Sequence, residues 1–302
     1  MAEAAWSLLR EKMGARLAEG VPLARLTTLG VGGPARILAR PESSAELTEV
    51  LQVARAEGLR VFVLGLGSNI LFADAGFDGL VLKLGRSFAV LERHEETRVR
   101  VGAAAPCAEV VRRSVEWALS GLECLAGIPS TVGGAVFMNA GSFGGEIGPS
   151  VTRVSYLDRD GNPGELSLDQ LNFTYRRFRG LPEGAVMTGA ELSLTPAGPG
   201  VVAARVEANL SGRRAKQPQG VRSAGSVFKN PPGDSAGRLI EECGFKGFRL
   251  GGAQVSGVHA NFIINQGQAA SRDILELMKR ITDSVREKTG ITLEPEIRIV
   301  AP

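Results

Sequence analysis

The spacing of apolar positions along the chain shifts between the two-residue period of strands and the roughly 3.6-residue period of helices. Residues 1–20 predict a short amphipathic helix in which acidic and basic residues mix. Residues 35–40, closed by Pro41, read as a short strand, and Ser43 or Ser44 can cap a helix that runs to about Glu57 and stops at Gly58. Residues 61–64 predict an apolar strand, with further strands at 79–84 and 98–101. Pro106 opens a helix ending near Gly121, with Val111, Val115 and Ala118 on one face. Residues 125–145 are dominated by Gly, Ala, Ser, Asn and Pro. Val151–Leu157 and residues 164–168 flank Asp158-Arg159-Asp160-Gly161-Asn162, a hairpin signal, and 186–194 is a further strand.

Pro196, Gly198, Pro199 and Gly200 then punctuate the chain and mark a domain boundary. Beyond it, Val201–Lys216 predicts a helix, and Asp234 or Ser235 starts another that runs through Cys243 to a stop at Gly244. Residues 261–264 are strand-like. Ser271–Thr289 carries the clearest helical stripe, with Ile274, Leu277, Ile281 and Val285 on one face and Gly290 as its stop. The last strand, 291–300, alternates Leu293, Pro295, Ile297 and Ile299 against Glu294, Glu296 and Arg298. There is no internal repeat.

Composition narrows the function classes. A chain of 302 residues with 44% hydrophobic and 22% charged positions fits a multidomain globular protein. A net charge of +3 without a basic run argues against nucleic-acid binding, which calls for a basic stripe with stacking aromatics. Three cysteines (Cys107, Cys124, Cys243) form no CxxC, and with two histidines (His94, His259) a Cys/His metal site is not expected. Residues 1–20 lack a signal peptide's apolar core and no stretch approaches the roughly 20 apolar residues of a membrane span, so a cytoplasmic protein is expected. A monomer is expected as well.

The 39 glycines suggest many tight turns and close approaches of backbone to ligand, and some of them form motif-like runs. Gly30-Val31-Gly32-Gly33-Pro34-Ala35 formally satisfies the dinucleotide fingerprint G-x-G-x-x-A, but polar Thr27-Thr28 precedes it and a strand pattern follows, where the fingerprint needs a strand and then a helix. Gly65-Leu66-Gly67-Ser68-Asn69-Ile70-Leu71 follows an apolar strand, and its two glycines allow successive N–H groups to aim at a phosphate without a P-loop lysine. A plain strand-to-loop turn would carry the same glycines. The second element, Gly127-Ile128-Pro129-Ser130-Thr131-Val132-Gly133-Gly134-Ala135 continuing to Asn139-Ala140-Gly141, suits a backbone lying flat against a planar ligand.

Together the two glycine-rich elements resemble the FAD-binding domain of the vanillyl-alcohol-oxidase type, in which two small α+β lobes hold FAD and the first loop contacts its pyrophosphate. Residues 29–34 resemble a further flavin-contacting segment of that domain. Ser223-Ala224-Gly225-Ser226-Val227-Phe228-Lys229-Asn230-Pro231, Leu293-Glu294-Pro295-Glu296-Ile297-Arg298 and Phe173-Thr174-Tyr175-Arg176 resemble three segments, in order, of the UDP-N-acetylenolpyruvoylglucosamine reductases. The resemblance implies an α+β chain. It would comprise an N-terminal helical segment (1–25), a two-lobed FAD-binding domain (26–198, lobes about 26–85 and 86–198) and a C-terminal α+β substrate-binding domain (199–302) closing over the flavin.

It also implies an activity: NADPH reduces FAD, and FAD reduces the enolpyruvyl ether of a UDP-sugar, in the making of a peptidoglycan precursor for cell-wall biogenesis, cell shape and cell division. In this resemblance Arg176 stabilises the developing enediolate-like charge, Ser226 donates the proton, and Glu296 assists. Arg177 and Arg179 stand beside Arg176, so pattern alone leaves a surface role open. Glu296 helps next to an anion only if protonated or if it orients a water or an arginine. Arg213, Lys216, Asn230, His259 and Arg298 resemble positions that line the UDP-sugar and NADPH side. The span between Ser226 and Glu296 resembles the compact subgroup, which lacks an extra folded insertion. With Tyr156 and Tyr175 as the only tyrosines, the capping tyrosine of other members is not evident. Another flavin oxidase of the same fold, or a flavin-binding module without turnover, would share the glycine loops but has no need of Ser226 and Glu296.

Overall fold

The computed structural model describes residues 2–198 and 200–302; Pro199 of the expected boundary and Met1 of the first helix lie outside them. The chain forms two compact units, the first from Met1–Glu19, Ile37–Leu66 and Gly79–Arg213, the second from Gly20–Arg36, Gly67–Asp78 and Arg214–Pro302. Compactness therefore divides the chain differently from the segments 26–198 and 199–302. The physical reason lies in the helix Val201–Lys216: Val206 and Leu210 pack into the first unit's core, so that unit continues to Arg213.

The first unit holds an antiparallel five-stranded sheet in the order Pro163–Ser167, Val151–Leu157, Val186–Ser193, Arg98–Gly102, Leu91–Arg93. Its hairpin turn is tied by Asp158, whose Oδ1 accepts from the N–H groups of Asp160 and Asn162, while Gly161 takes φ +83°. Val99, Val101, Val151, Val154 and Leu192 bury one face under the helices Cys107–Glu116 and Val132–Phe137. On Cys107–Glu116 the buried face is Cys107, Val110, Val111 and Ser114, which shares only Val111 with the expected Val111, Val115 and Ala118. Ser114 enters the core because its hydroxyl bonds back to the Val111 carbonyl, and Ala118 lies past the helix end at φ +52°.

A second core of this unit gathers Trp6, Leu9 and Met13 from helix Ala2–Met13 and Leu47, Val50, Leu51 and Ala54 from helix Ser44–Ala56. The first helix ends at Met13, sooner than the expected Gly20, and Leu17–Pro22 is a strand. Helix Ser44–Ala56 begins where its cap predicts: the Ser43 hydroxyl accepts from the Glu46 N–H at 3.1 Å, and Gly58 ends it at φ +63°.

The second unit is built on an antiparallel sheet in the order Arg222–Ser226, Phe262–Asn265, Ala253–Val255, Arg249–Leu250. Helix Ser271–Thr289 covers it with Ile274, Leu277, Met278, Ile281 and Val285 buried, and Gly290 caps it at φ +75°. The expected strand 291–300 is regular only over Arg298–Val300, which pairs in parallel with Ile70–Phe72. Leu293, Ile297 and Val300 are buried while Pro295 and Ile299 are exposed, so the two-residue alternation fails. The chain changes hydrogen-bonding partners around Ile297, and the side-chain sequence follows those partners.

Glu46 offers a test of the first unit's packing. Both its oxygens accept from Arg16, and one also takes the Glu42 N–H, which together hold its carboxyl at about 2, below the ordinary 4.5. A depressed carboxyl stabilises the fold fully above its unfolded value and loses that contribution as pH falls towards the folded value. Glu46→Gln should therefore lower the melting temperature by a few degrees at neutral pH, and calorimetric scans should show the gap closing between pH 4.5 and about 2.

Candidate active site

The loop 65–69 leaves the strand Val61–Val63 and enters the strand Ile70–Phe72. Gly67 takes φ +68°, and an added Cβ would lie 2.2 Å from the Leu26 carbonyl oxygen, so only glycine fits. None of the backbone N–H groups from Gly65 to Asn69 donates a hydrogen bond among the described residues. A run of such donors is what a pyrophosphate requires, so the loop fits the cofactor that the sequence suggests. Leu66, at its tip, is exposed. Lys83, which sequence reasoning passed over, donates from Nζ to the Gly65 carbonyl at 2.5 Å.

The second glycine-rich element meets the first inside the same unit, since a Cβ on Gly65 would lie 2.8 Å from Thr131 Oγ1. Its expected flat course is corrected: residues Val132–Phe137 form a short helix, capped by Thr131 Oγ1 accepting from the Gly134 N–H at 3.3 Å. Gly133 is needed for packing, as a Cβ there would sit 2.9 Å from the Ala103 Cβ. Ser130 accepts the Cys107 N–H through its carbonyl, Ala140 donates to the Ala135 carbonyl, and Gly127 turns at φ +74° beside Arg213. Ile128 and Pro129 complete the turn between Gly127 and Ser130. A Cβ on Gly141 would lie 1.9 Å from the Gly145 carbonyl oxygen. Asn139, buried at φ +44°, accepts from the Gly148 N–H and donates to Glu146 and to the Thr174 carbonyl. Side-chain-poor backbone facing a broad ligand remains compatible with this order.

Asn139 thereby holds the hairpin of Asn172–Thr174 and Arg177–Arg179, whose two-residue apex is Tyr175-Arg176. Arg176 is half-buried at φ +57° with its guanidinium 5.0 Å from the Tyr175 ring, whereas Arg177 and Arg179 are exposed. The structure thus separates Arg176 from its neighbours, which the pattern alone did not. Arg213 is half-buried too. Its Nε donates to the Ala126 carbonyl and its Nη2 to Ser142 Oγ, at 2.8 and 2.9 Å. Burial and then the charge of Arg176 lower its pKa, so two guanidinium groups share one neighbourhood suited to an anion. The two buried thiols nearby are not nucleophiles at neutral pH: burial pushes Cys107 up to about 12 and Cys124 up to about 11.

In the second unit, Ser226 ends a strand whose register shifts between Ser223 and Ser226, with Gly225 at φ +76°. Bulges of this kind re-aim a side chain. Val227, next to it, donates to the Asn261 carbonyl and accepts the Glu296 N–H at 2.8 Å. The Glu296 carbonyl accepts from Asn69 Nδ2 at 3.2 Å, and the Asn69 carbonyl accepts the Arg298 N–H. Ser226, Glu296 and Arg298 are therefore brought onto adjoining backbone segments of one unit. Asn261, missed from the sequence, is buried and grips both the N–H and carbonyl of Phe228.

The remaining sequence-selected residues are more dispersed. Lys229 pairs with Glu294, and Asn230 Oδ1 accepts from the Ala236 N–H at the start of helix Ala236–Glu242. Lys216 is exposed at the end of its helix. His259 packs against Gly237 and accepts the Asn261 N–H at Nδ1, so its proton sits on Nε2; burial, then Lys246, lowers its pKa and keeps it neutral at pH 7.

Comparison with known proteins matches residues 35–167 to the FAD binding domain and residues 217–300 to the UDP-N-acetylenolpyruvoylglucosamine reductase C-terminal domain. The UDP-N-acetylenolpyruvoylglucosamine reductase of Moorella thermoacetica is 45% identical over 92% of this chain and 91% of its own. Reductase 2 of Symbiobacterium thermophilum is 41% identical over 99% and 96%. The crystal structure of the reductase MurB from Thermus caldophilus superposes with a TM-score of 0.81 at 40% identity, covering 93% of this chain and 98% of that one. The glucose dehydrogenase Phl p 4.0202, at 13% identity, a TM-score of 0.51 and coverage of 65% and 44%, shares the fold alone. This agrees with the expected α+β class and its flavin-domain architecture. No helix among the described residues is long and apolar enough to cross a membrane. With these likenesses spanning nearly its whole length, the chain belongs to the UDP-N-acetylenolpyruvoylglucosamine reductase family.

Proposed function

We propose that this chain reduces UDP-N-acetylglucosamine enolpyruvate to UDP-N-acetylmuramate with NADPH as hydride source, the reductive step of a peptidoglycan precursor. The observation that carries the reading is the stitching of Ser226 and Glu296 onto adjoining segments through Val227, in a chain of this family. FAD, when bound, would supply the two-electron relay, taking hydride from the nicotinamide and passing it to C3 of the enol ether. Residues of 26–198 would hold it: Gly65, Leu66, Gly67, Ser68 and Asn69 at the pyrophosphate through their unengaged N–H groups, with 127–141 offering side-chain-poor backbone.

The chain's own side chains then handle charge and proton. Hydride arrival at C3 drives electron density onto the substrate carboxylate, and the half-buried Arg176 fork matches that carboxylate better as charge grows. Arg213, fixed by Ala126 and Ser142, lends a second cation to the same neighbourhood. Ser226 delivers the proton to C2 from its place at the register shift, with Gly225 beside it at φ +76°. Glu296 supports that donation as a protonated group or by ordering a water. Arg298, Asn230, Lys216 and His259 of 199–302 meet the UDP-sugar and NADPH, with neutral His259 as a hydrogen-bond donor and not a cation.

Purified protein should bleach at the flavin absorbance on adding NADPH and recover on adding the enolpyruvyl sugar; a colourless chain that takes up no FAD would end the reading. Ser226→Ala should leave the NADPH-driven bleaching nearly intact and slow the recovery by about 10²–10⁴-fold, the usual weight of a positioned proton donor. Equal slowing of both phases in stopped flow would make Ser226 a binding residue instead. Arg176→Lys should lower kcat by about 10²-fold or more, as for loss of a charge-stabilising donor, while bleaching by NADPH persists; unchanged turnover would remove Arg176 from the chemistry.

A further inference from the structure

Lys83 follows the strand Phe77–Leu82, is half-buried, and is tied to the strand Pro34–Ala39 by its own N–H, which donates to the Ala39 carbonyl. Its ammonium donates to the Gly65 carbonyl at 2.5 Å. No carboxylate stands within ion-pair distance among the described residues, and Arg40 is the charge that acts on it. A partly buried cation with a cation for a neighbour is held at a cost, and its pKa is lowered by burial and then by Arg40. An anion brought close would relieve that cost.

The geometry of the peptide group supplies the link. The Gly65 carbonyl and the Leu66 N–H belong to one planar trans peptide and point in opposite directions. Holding the carbonyl fixes the direction of that N–H, one of the donors of the 65–69 loop with no acceptor among the described residues. A Cβ on Gly65 would lie 2.8 Å from Thr131 Oγ1, so a larger residue there would displace the peptide that Lys83 holds. Lysine is suited to the position because a compact ammonium on a flexible stem can bond a carbonyl and still leave two protons for a field or a water.

We propose that Lys83 is the positioning residue that presents the 65–69 loop to the cofactor's pyrophosphate, aiming and polarising the Leu66 N–H through the peptide whose carbonyl it holds. The inference rests on the reading that this loop binds FAD. It gives the loop the lysine that a P-loop carries within its own motif, here delivered from a neighbouring strand and acting through the main chain.

The test is equilibrium binding of FAD and of riboflavin, which lacks the pyrophosphate, to flavin-stripped full-length chain, followed by flavin fluorescence. Lys83→Met should weaken FAD by roughly 10- to 100-fold, the span expected for losing a charge-assisted hydrogen bond, and leave riboflavin affinity unchanged. Lys83→Arg should recover most of the FAD affinity. Unchanged FAD binding in Lys83→Met overturns the proposal, and so does an equal loss for FAD and riboflavin, which would mark a purely structural lysine. If Lys83→Met does not fold, Lys83→Gln against Lys83→Arg decides: weak FAD binding in the first alone supports the proposal, and wild-type affinity in both overturns it. Failure of the unmutated chain to bind FAD at all would instead sink the reading on which the proposal stands.

Discussion

Asn69 is the point on which the second unit's chemistry turns. Its carbonyl accepts the Arg298 N–H and its amide donates to the Glu296 carbonyl, so one side chain and one peptide grip the main chain on both sides of Ile297. Glu296 is held from the other direction by Val227, the neighbour of Ser226. Three segments far apart in sequence are thus fixed by main-chain bonds together with the Asn69 side-chain amide. Ile70–Phe72 and Arg298–Val300 continue the grip as a parallel pair, an arrangement that needs a long crossover and here spans most of the chain. The proposed reaction, in which hydride and proton reach adjacent carbons, would demand small positional error, which rigid elements can provide.

What the sequence revealed depended on whether the deciding interaction was local. Helix Ser271–Thr289 was legible to the residue because its stripe, its length and Gly290 all agree. Helix Ser44–Ala56 was legible because Ser43 and Gly58 bracket it. The helix Val132–Phe137 was not, since six residues with two glycines have no helical propensity to show and owe their form to Thr131 and to Ala103. The final segment misled for the complementary reason: its alternation is real in sequence, but Val227 and Asn69 decide which residues are buried. Domain division followed the same rule. Pro196 and Gly198 signal a break in the chain, yet the helix after them packs backwards through Val206 and Leu210.

The candidate site divides likewise. Ser226, Glu296 and Arg176 were selected through resemblance, and the fold puts Ser226 at a bulge, Glu296 under main-chain grips and Arg176 at a half-buried hairpin apex. Lys83, Asn261 and Asn265 were not singled out by the pattern, because each acts by reaching a backbone group whose place only the fold determines. Asn265, for example, is a polar residue at the end of an apolar strand; in the fold it bonds the Leu29 carbonyl and so holds the segment that leads into Gly30. The titratable inventory points one way as well. Burial keeps the Cys107 and Cys124 thiols protonated and His259 neutral, so neither buried thiol is a thiolate at neutral pH.

The backbone of Arg176 gives the strongest local argument for a functional arginine. At φ +57° it occupies the left-handed region, where a residue with a Cβ loses roughly 1 kcal/mol or more and glycine loses nothing. A two-residue hairpin apex on the edge of a small sheet is where glycine or asparagine would relieve that strain most simply. Arg177 and Arg179 lie on the adjoining strand in exposed positions, so a merely solubilising charge was available there without strain. An arginine held at the apex, half-buried, against Tyr175 and within electrostatic reach of Arg213, is therefore placed against both backbone preference and charge repulsion. In the proposed reaction, an anion bound at both guanidinium groups would offset that repulsion.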